Sequence, residues 1–183
     1  MTYYVVQVKS GWEEKVLQYA RKLQIDREAR ILWPRRKLRL RRHGRWRETL
    51  ASIFPGYLFL EIEGIGPELY WRMRRIPGFV RFLRHNHQIE PLCDQDREIL
   101  VHFLSYGEIV SKSQVAFDEH KRIRVISGPL KSLEGRIVKV DRRKGRARVR
   151  LDFYEDSFFI DFGFEYLELA GEEAKSEGSA LRQ

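Results

Sequence analysis

The octet RARVRLDF, residues 146–153, alternates without a break. Ala147, Val149 and Leu151 fall on one side and Arg146, Arg148 and Arg150 on the other. A period of two over this length selects an extended strand with one face toward a core and one toward solvent. From residue 121 onward the chain reads as short strands only: KRIRVI, GRIVKV, RARVRLDF, SFFIDF and EYLEL, with Gly128, Gly135 and Gly145 as punctuation. A run of short strands in so little chain buries a shared face by winding into a small, tight barrel.

The residues ahead of it follow another pattern. YYVVQV, residues 3–8, reads as a strand. Ser10 and Glu13 stand at capping-box spacing, which predicts a helix carrying Trp12, Val16, Ala20 and Leu23 on one face. Residues 31–62 read as strands. His43–Gly44 is a hairpin turn between two basic arms. Phe54–Pro55–Gly56 is a second break, because Pro55 fixes its own φ and Gly56 permits unusual ones. In the YLFLEIE run that follows, Leu58, Leu60 and Ile62 face one side and Tyr57, Phe59 and Glu61 the other. Pro67 suits the first turn of a helix bearing Leu69, Met73 and Ile76, which Pro77–Gly78 ends. FVRFL is a further strand, and DQDREILVHFL a helix opened by an N-cap at Asp94. The order β-α-β-β-β-α-β-α predicts a mixed sheet with helices packed on it. The expected class is therefore α+β, with a first domain over 1–104, a polar linker over 105–119, a small SH3-like β-barrel over 120–169 and a disordered tail over 170–183.

Charge is concentrated in two blocks. The chain of 183 residues has a net charge of +9 and a pI near 9.8, a balance that favours a polyanionic partner. Residues 31–47 hold eight Lys or Arg and no acid; residues 121–151 hold twelve against Glu134 and Asp141 alone. One such block is as compatible with a solvated face as with a binding site; two in separate segments point to an anionic ligand. The second block supplies the candidate RNA-binding set: Lys121, Arg122, Arg124, Lys131, Arg136, Lys139, Arg142, Arg143, Lys144, Arg146, Arg148 and Arg150. On an extended strand its last three arginines stand roughly 6.6 Å apart, suited to bridging successive phosphates. In the first block, Trp33 and Trp46 among the arginines suit stacking on duplex or single-stranded DNA. A charged, twisted edge strand that resists aggregation explains the same residues.

Other classes find little support. The single cysteine, Cys93, permits no intramolecular disulfide. No apolar run approaches the roughly 18 residues of a membrane helix, and the N-terminus lacks the profile of a signal peptide; a soluble, cytoplasmic monomer is expected. His85, His87, Cys93 and His102 fit no common zinc spacing. The glycine-rich EGIGPE lacks the lysine of a phosphate loop, and no nucleophile elbow is present. No enzymatic activity, metal or cofactor is expected.

RVISGPLKSLEGRIVKVD resembles a KOW motif, with Gly135 at the motif's glycine. YYVVQVKSGWE, FPGYLFLEIE and IPGFVRFL resemble the N-terminal domain of the NusG family, and the likeness runs over residues 1 to about 168. The resemblance implies a transcription elongation factor whose first domain docks on the clamp helices of RNA polymerase. It places Tyr4, Phe54, Pro55 and Tyr57 at that surface, with Trp12 nearby, and Gly66, Glu68 and Leu69 toward the opposite wall of the polymerase cleft; DNA met there by the basic hairpin would be the non-template strand. General members use the KOW domain as an adaptor for a ribosomal protein or Rho. The basic DRRKGRARVR segment instead looks like the LoaP branch, antiterminators whose KOW domain binds a hairpin in the nascent RNA. A ribosome-associated RNA-binding protein is the alternative that would not need the FPGY surface.

Overall fold

The computed structural model describes residues 2–85, 88–92, 94–154 and 156–167. Its first strand, β1 (Tyr3–Val8), leads into helix α1 (Glu13–Lys22) and on to β2 (Arg30–Leu32), β3 (Arg35–Arg42), β4 (Arg45–Ser52) and β5 (Tyr57–Glu61). Helix α2 (Pro67–Arg74), β6 (Phe79–Phe82), the short strands β7 (Arg84–His85) and β8 (Gln88–Ile89) and helix α3 (Asp94–Leu104) complete the N-terminal module. Then come β9 (Ile109–Val110), β10 (Ser113–Phe117), β11 (Ile123–Ser127), β12 (Ile137–Asp141), β13 (Arg146–Phe153) and β14 (Asp156–Tyr166). The mixed α+β class read from the sequence is the class observed.

The central sheet has the order β2-β5-β1-β6. Alternation along β1 and β5 gives it two unlike faces. Val6, Val8, Leu58 and Leu60 point to one side and pack with Val16 and Ala20 of α1 and Leu69 and Met73 of α2. Tyr3, Val5, Tyr57 and Phe59 point to the other. Strands β3 and β4 form a long hairpin in register from Arg35–Ser52 to Arg42–Arg45. His43 and Gly44 both have positive φ, 48° and 78°, as a two-residue turn between twisted strands requires.

The second sheet runs β11-β10-β14-β13-β12. Ala147, Val149, Leu151 and Phe153 are fully buried, so the alternation of RARVRLDF is realised along β13. Two expectations change here. SFFIDF and EYLEL are not separate strands: β14 runs unbroken from Asp156 to Tyr166, because Gly163 between them does not turn the chain but stays extended, paired with Arg146 of β13. The fifth strand comes from upstream instead. Residues 113–117, in the stretch expected as linker, form β10, antiparallel to β11 and parallel to β14. Just before it, β9 pairs with β3 of the N-terminal hairpin. The chain thus passes from one sheet to the other across Ser111 and Lys112 alone. The tail over 170–183 lies outside the described residues.

The N-terminus of α1 also differs from expectation. Trp12 occupies the cap position, and no side chain caps the helix. Glu13 is buried and accepts the Gly56 N–H at 2.7 Å. Gly56 sits at φ +83°, where a Cβ would come within 3.0 Å of Ser10 Oγ. The carboxylate that would close a capping box is thus committed to the Phe54–Gly56 turn. Leu23, expected on the apolar face, follows the helix and is more than a third exposed.

Candidate nucleic-acid and polymerase interfaces

The aromatic face of the central sheet is covered by the second sheet. Phe153, at the end of β13, inserts among N-terminal aromatics: its ring centroid lies 4.8 Å from Phe54, 5.7 Å from Phe59 and 5.9 Å from Tyr57. Phe158 stands edge-on to Tyr57 at 5.9 Å. Helix α3 supplies Phe103, which stacks on Phe162 at 5.3 Å and meets Phe54 at 6.0 Å. Phe54, Phe59, Phe103, Phe153 and Phe162 are all essentially inaccessible, and one continuous core joins the two sheets. Burying a side chain of this size is worth about 1.5–3 kcal/mol, and each edge-to-face pair adds about 0.5–1.5 kcal/mol.

Polar ties run along the rim of this contact. Tyr57 OH donates to Asp156 Oδ2 at 3.3 Å, and the Tyr154 N–H donates to Asp96 Oδ1 at 3.0 Å. A ring nitrogen of His102, Nε2, lies 2.8 Å from the Pro129 carbonyl. Arg36 is the most deeply placed. Its Nε donates to the Asp161 carbonyl at 2.6 Å and its Nη1 to the Ser52 carbonyl, with the ring of Phe162 beside it. Burial disfavours the charged form and brings this guanidinium down to about 10. Burial, and then the Asp156 carboxylate, push the Tyr57 phenol up.

The residues expected at the polymerase surface separate into two groups. Phe54 and Tyr57 lie together on the aromatic face, with Pro55 exposed at the turn between them. Tyr4 does not join them. As the neighbour of Tyr3 on a strand it points to the opposite, helix-covered face, where its hydroxyl donates to the Glu63 carbonyl at 3.3 Å. Trp12 belongs to that side too, packed against Gly78 and flanked by Lys9 and Lys15. Tyr3 and Val5 are the residues of this strand that face the Phe54 cluster.

The basic block is less free than its sequence suggests. Asp161 of β14 stands opposite Arg148 of β13 and binds it with two hydrogen bonds, at 2.7 and 3.2 Å. That pairing holds the Asp161 carboxyl below its usual range. Arg150 and Arg136 share Asp152, Lys144 pairs with Asp141, and Arg122 with Asp118. The acids nearly absent from 121–151 arrive from just outside that stretch, because a cross-strand neighbour need not be near in sequence. Lys131 donates to the Val125 carbonyl, and Arg142 donates to the Lys121 carbonyl while lying over Phe117. Arg146 donates to the Arg39 carbonyl of the N-terminal hairpin. Among the described residues, Lys121, Arg124, Lys139 and Arg143 have no carboxylate in ion-pair reach. The available positive charge therefore gathers around the β12–β13 turn, next to the basic hairpin, not along the whole row.

Several of these partners were not assigned from the sequence. Phe153 was legible as inward-facing, being in phase with Leu151, but not as a contact to Phe54. Arg36 and Asp161 carried no signal of their own. No three described His, Cys, Asp or Glu side chains are grouped to hold a metal; His87 and Cys93 lie outside the described residues. No helix among the described residues is long and apolar enough to cross a membrane.

A helix-backed sheet, antiparallel at each pairing where a mixed sheet was expected, followed by a small, basic, all-β unit defines a two-module chain of the KOW-bearing class. Residues 1–101 match the family described as transcription termination factor nusG, and residues 121–152 match the KOW motif. The chain belongs to the NusG family. The transcription termination/antitermination protein NusG of Borreliella burgdorferi is 27% identical over 184 residues, covering 91% of this chain and 97% of that protein. Its counterpart from Thermus thermophilus is 30% identical over 176 residues, covering 88% and 95%. A solved structure, "Domain interaction in Thermotoga maritima NusG", superposes with a TM-score of 0.57 at 23% identity over 88% of this chain and 93% of that one, and so shares its fold.

Proposed function

We propose that this chain is a transcription termination/antitermination factor, not an enzyme, that acts in the cytoplasm as a monomer. It engages the clamp helices of RNA polymerase through Phe54, Pro55 and Tyr57 once the second module has lifted away. It holds nascent RNA through the basic turn of its KOW module, in the manner of a leader-hairpin antiterminator of the LoaP kind. The observation that carries this reading is the pairing of an aromatic face, covered by the aromatic residues of a second sheet, with a cationic turn at which Arg142 and Arg143 have no carboxylate in ion-pair reach among the described residues. Phosphate contacts there supply affinity and salt dependence; hairpin shape or base contacts supply choice of transcript.

The experiment is a titration of labelled RNA hairpin across a salt series. Arg142→Ala, Arg143→Ala and Lys144→Ala combined should weaken binding and flatten the slope by about 1 for each phosphate no longer held. An unchanged slope refutes the RNA assignment. A pull-down in which Phe54→Ala with Tyr57→Ala still recovers polymerase refutes the other half.

One observation favours a second reading. Phe159 and Val138 are more than half exposed on the KOW sheet, where an adaptor protein could bury them. In that reading the module serves a general NusG-type factor, and Phe159→Ala abolishes protein capture while sparing RNA.

A further inference from the structure

We infer that the seam between the two modules is a binding groove for the phosphate backbone of a single nucleic-acid strand, completed only when the modules are docked. The inference rests on the RNA-binding reading above and goes past it by adding the N-terminal hairpin to the site.

A cavity of about 240 Å³ opens between β3 and the β12–β13 turn. Arg39 of β3, Lys112 of the connector and Arg143 and Lys144 of the turn line it, with Glu165 as the one acid. Lys112 reaches Glu165 at 3.0 Å and Glu48 at 3.5 Å, and Lys144 reaches Asp141 at 3.4 Å. Arg39 lies over the Trp46 ring, and neither it nor Arg143 has a carboxylate in reach among the described residues. Lys112 and Lys144 are thus largely spent on Glu165, Glu48 and Asp141, and the positive charge left to attract an anion is that of Arg39 and Arg143. The backbone walls meet beside it, where Arg146 donates to the Arg39 carbonyl. Arg146 itself lines the adjoining pocket, with Lys139, Lys144 and Arg148 against Asp141 and Asp161.

Exposed Trp46 stands next along the hairpin, a flat face on which a base can stack. Arg41, directly opposite Trp46 in the hairpin register, extends the positive track on the same exposed face. A strand laid in the groove touches both modules at once. By linkage it favours the docked arrangement and opposes whatever needs the Phe54 face uncovered.

The test uses the full chain with fluorescent oligouridine and, in parallel, oligothymidine. Arg39 is exposed, and its side chain is not a fold-determining contact, so Arg39→Glu reports on the groove. Affinity should fall about tenfold at low salt, with the slope reduced by about 1. Arg143→Glu should do the same, and the two should be non-additive. Arg21→Glu, at an exposed position of α1 that does not line the groove, makes the same change in net charge and should leave binding within about twofold. A loss with oligouridine assigns the groove to RNA and a loss with oligothymidine to DNA; either supports the inference. If Arg143→Glu weakens both strands while Arg39→Glu weakens neither, the site belongs to the KOW module alone: the inference fails and the RNA-binding reading stands. If neither strand binds the unaltered chain, both fall.

Discussion

The central sheet is buried on both faces, and the two covers could hardly differ more. On one side Val6, Leu58 and Leu60 lie under α1 and α2, helices that adjoin those strands in sequence. On the other, Tyr3, Phe54, Tyr57 and Phe59 lie under Phe153 and Phe158, about a hundred residues downstream. The first cover is aliphatic, local and part of what makes the N-terminal module fold. The second is aromatic, edge-on, rimmed by single hydrogen bonds, and carried by a sheet with its own fully buried interior. A face closed by its neighbours is architecture; a face closed by a distant unit with its own core can be uncovered without unfolding the module beneath it.

The widest separation should come from paired truncations. Leu60→Ala removes helix-side packing and should cost about 2–5 kcal/mol of whole-module stability, read as a fall in Tm with no gain in polymerase capture. Phe153→Ala should cost about 3–5 kcal/mol, but chiefly from docking. Amide hydrogen exchange at Tyr3 and Tyr57 should accelerate while Val6 and Val16 stay protected, and polymerase capture should rise. Equal loss of protection on both faces would erase the distinction between the covers.

A subtler change tests the rim. Tyr57→Phe keeps the ring and removes the hydrogen bond to Asp156, weakening docking by about 0.5–1.5 kcal/mol. It also carries a pH signature. Burial, and then the Asp156 carboxylate, raise the Tyr57 phenol above its ordinary value of 10.0 in the docked form. The docked state therefore holds its proton longer, and this contribution is complete below the undocked pKa and lost as pH rises through the docked one. Arg36, brought down to about 10, titrates in the opposite sense. The readout is accordingly the difference between wild type and Tyr57→Phe above pH about 10; coincident curves would remove Tyr57 from the rim.

The smallest effect concerns the basic row. Asp161→Asn releases Arg148 and should raise oligouridine affinity about twofold, in keeping with the modest strength of exposed ion pairs. A loss of affinity would mean that Asp161 orders the strand pair more than it masks charge.

What sequence reading could reach follows the same division. Period-two alternation located Leu58 and Leu60 against Tyr57 and Phe59, and Ala147, Val149 and Leu151 against the arginines, because a strand's faces are set by local geometry. The His43–Gly44 turn was legible for the same reason. Tyr4 was set beside Phe54 by motif position, although its own alternation with Tyr3 argues for the opposite face. Asp161 against Arg148, Arg36 under Asp161 and Phe153 in the aromatic cluster are all pairings at long sequence separation, which no local period encodes. The same holds for β10: its residues are too short and polar a run to announce a strand, and its place is decided by β11 and β14 on either side.

The two-residue passage from β9 to β10 has a mechanical consequence. With β9 zipped to β3, Ser111 and Lys112 leave the modules almost no slack, so separation cannot begin as a free swing. Peeling β9 away frees the segment 105–112, whose full extension is about 28 Å at about 3.5 Å per residue. Any opening would have to break the two backbone pairs Arg35–Ile109 and Arg36–Val110, and the leash they release would set how far one module can stray from the other.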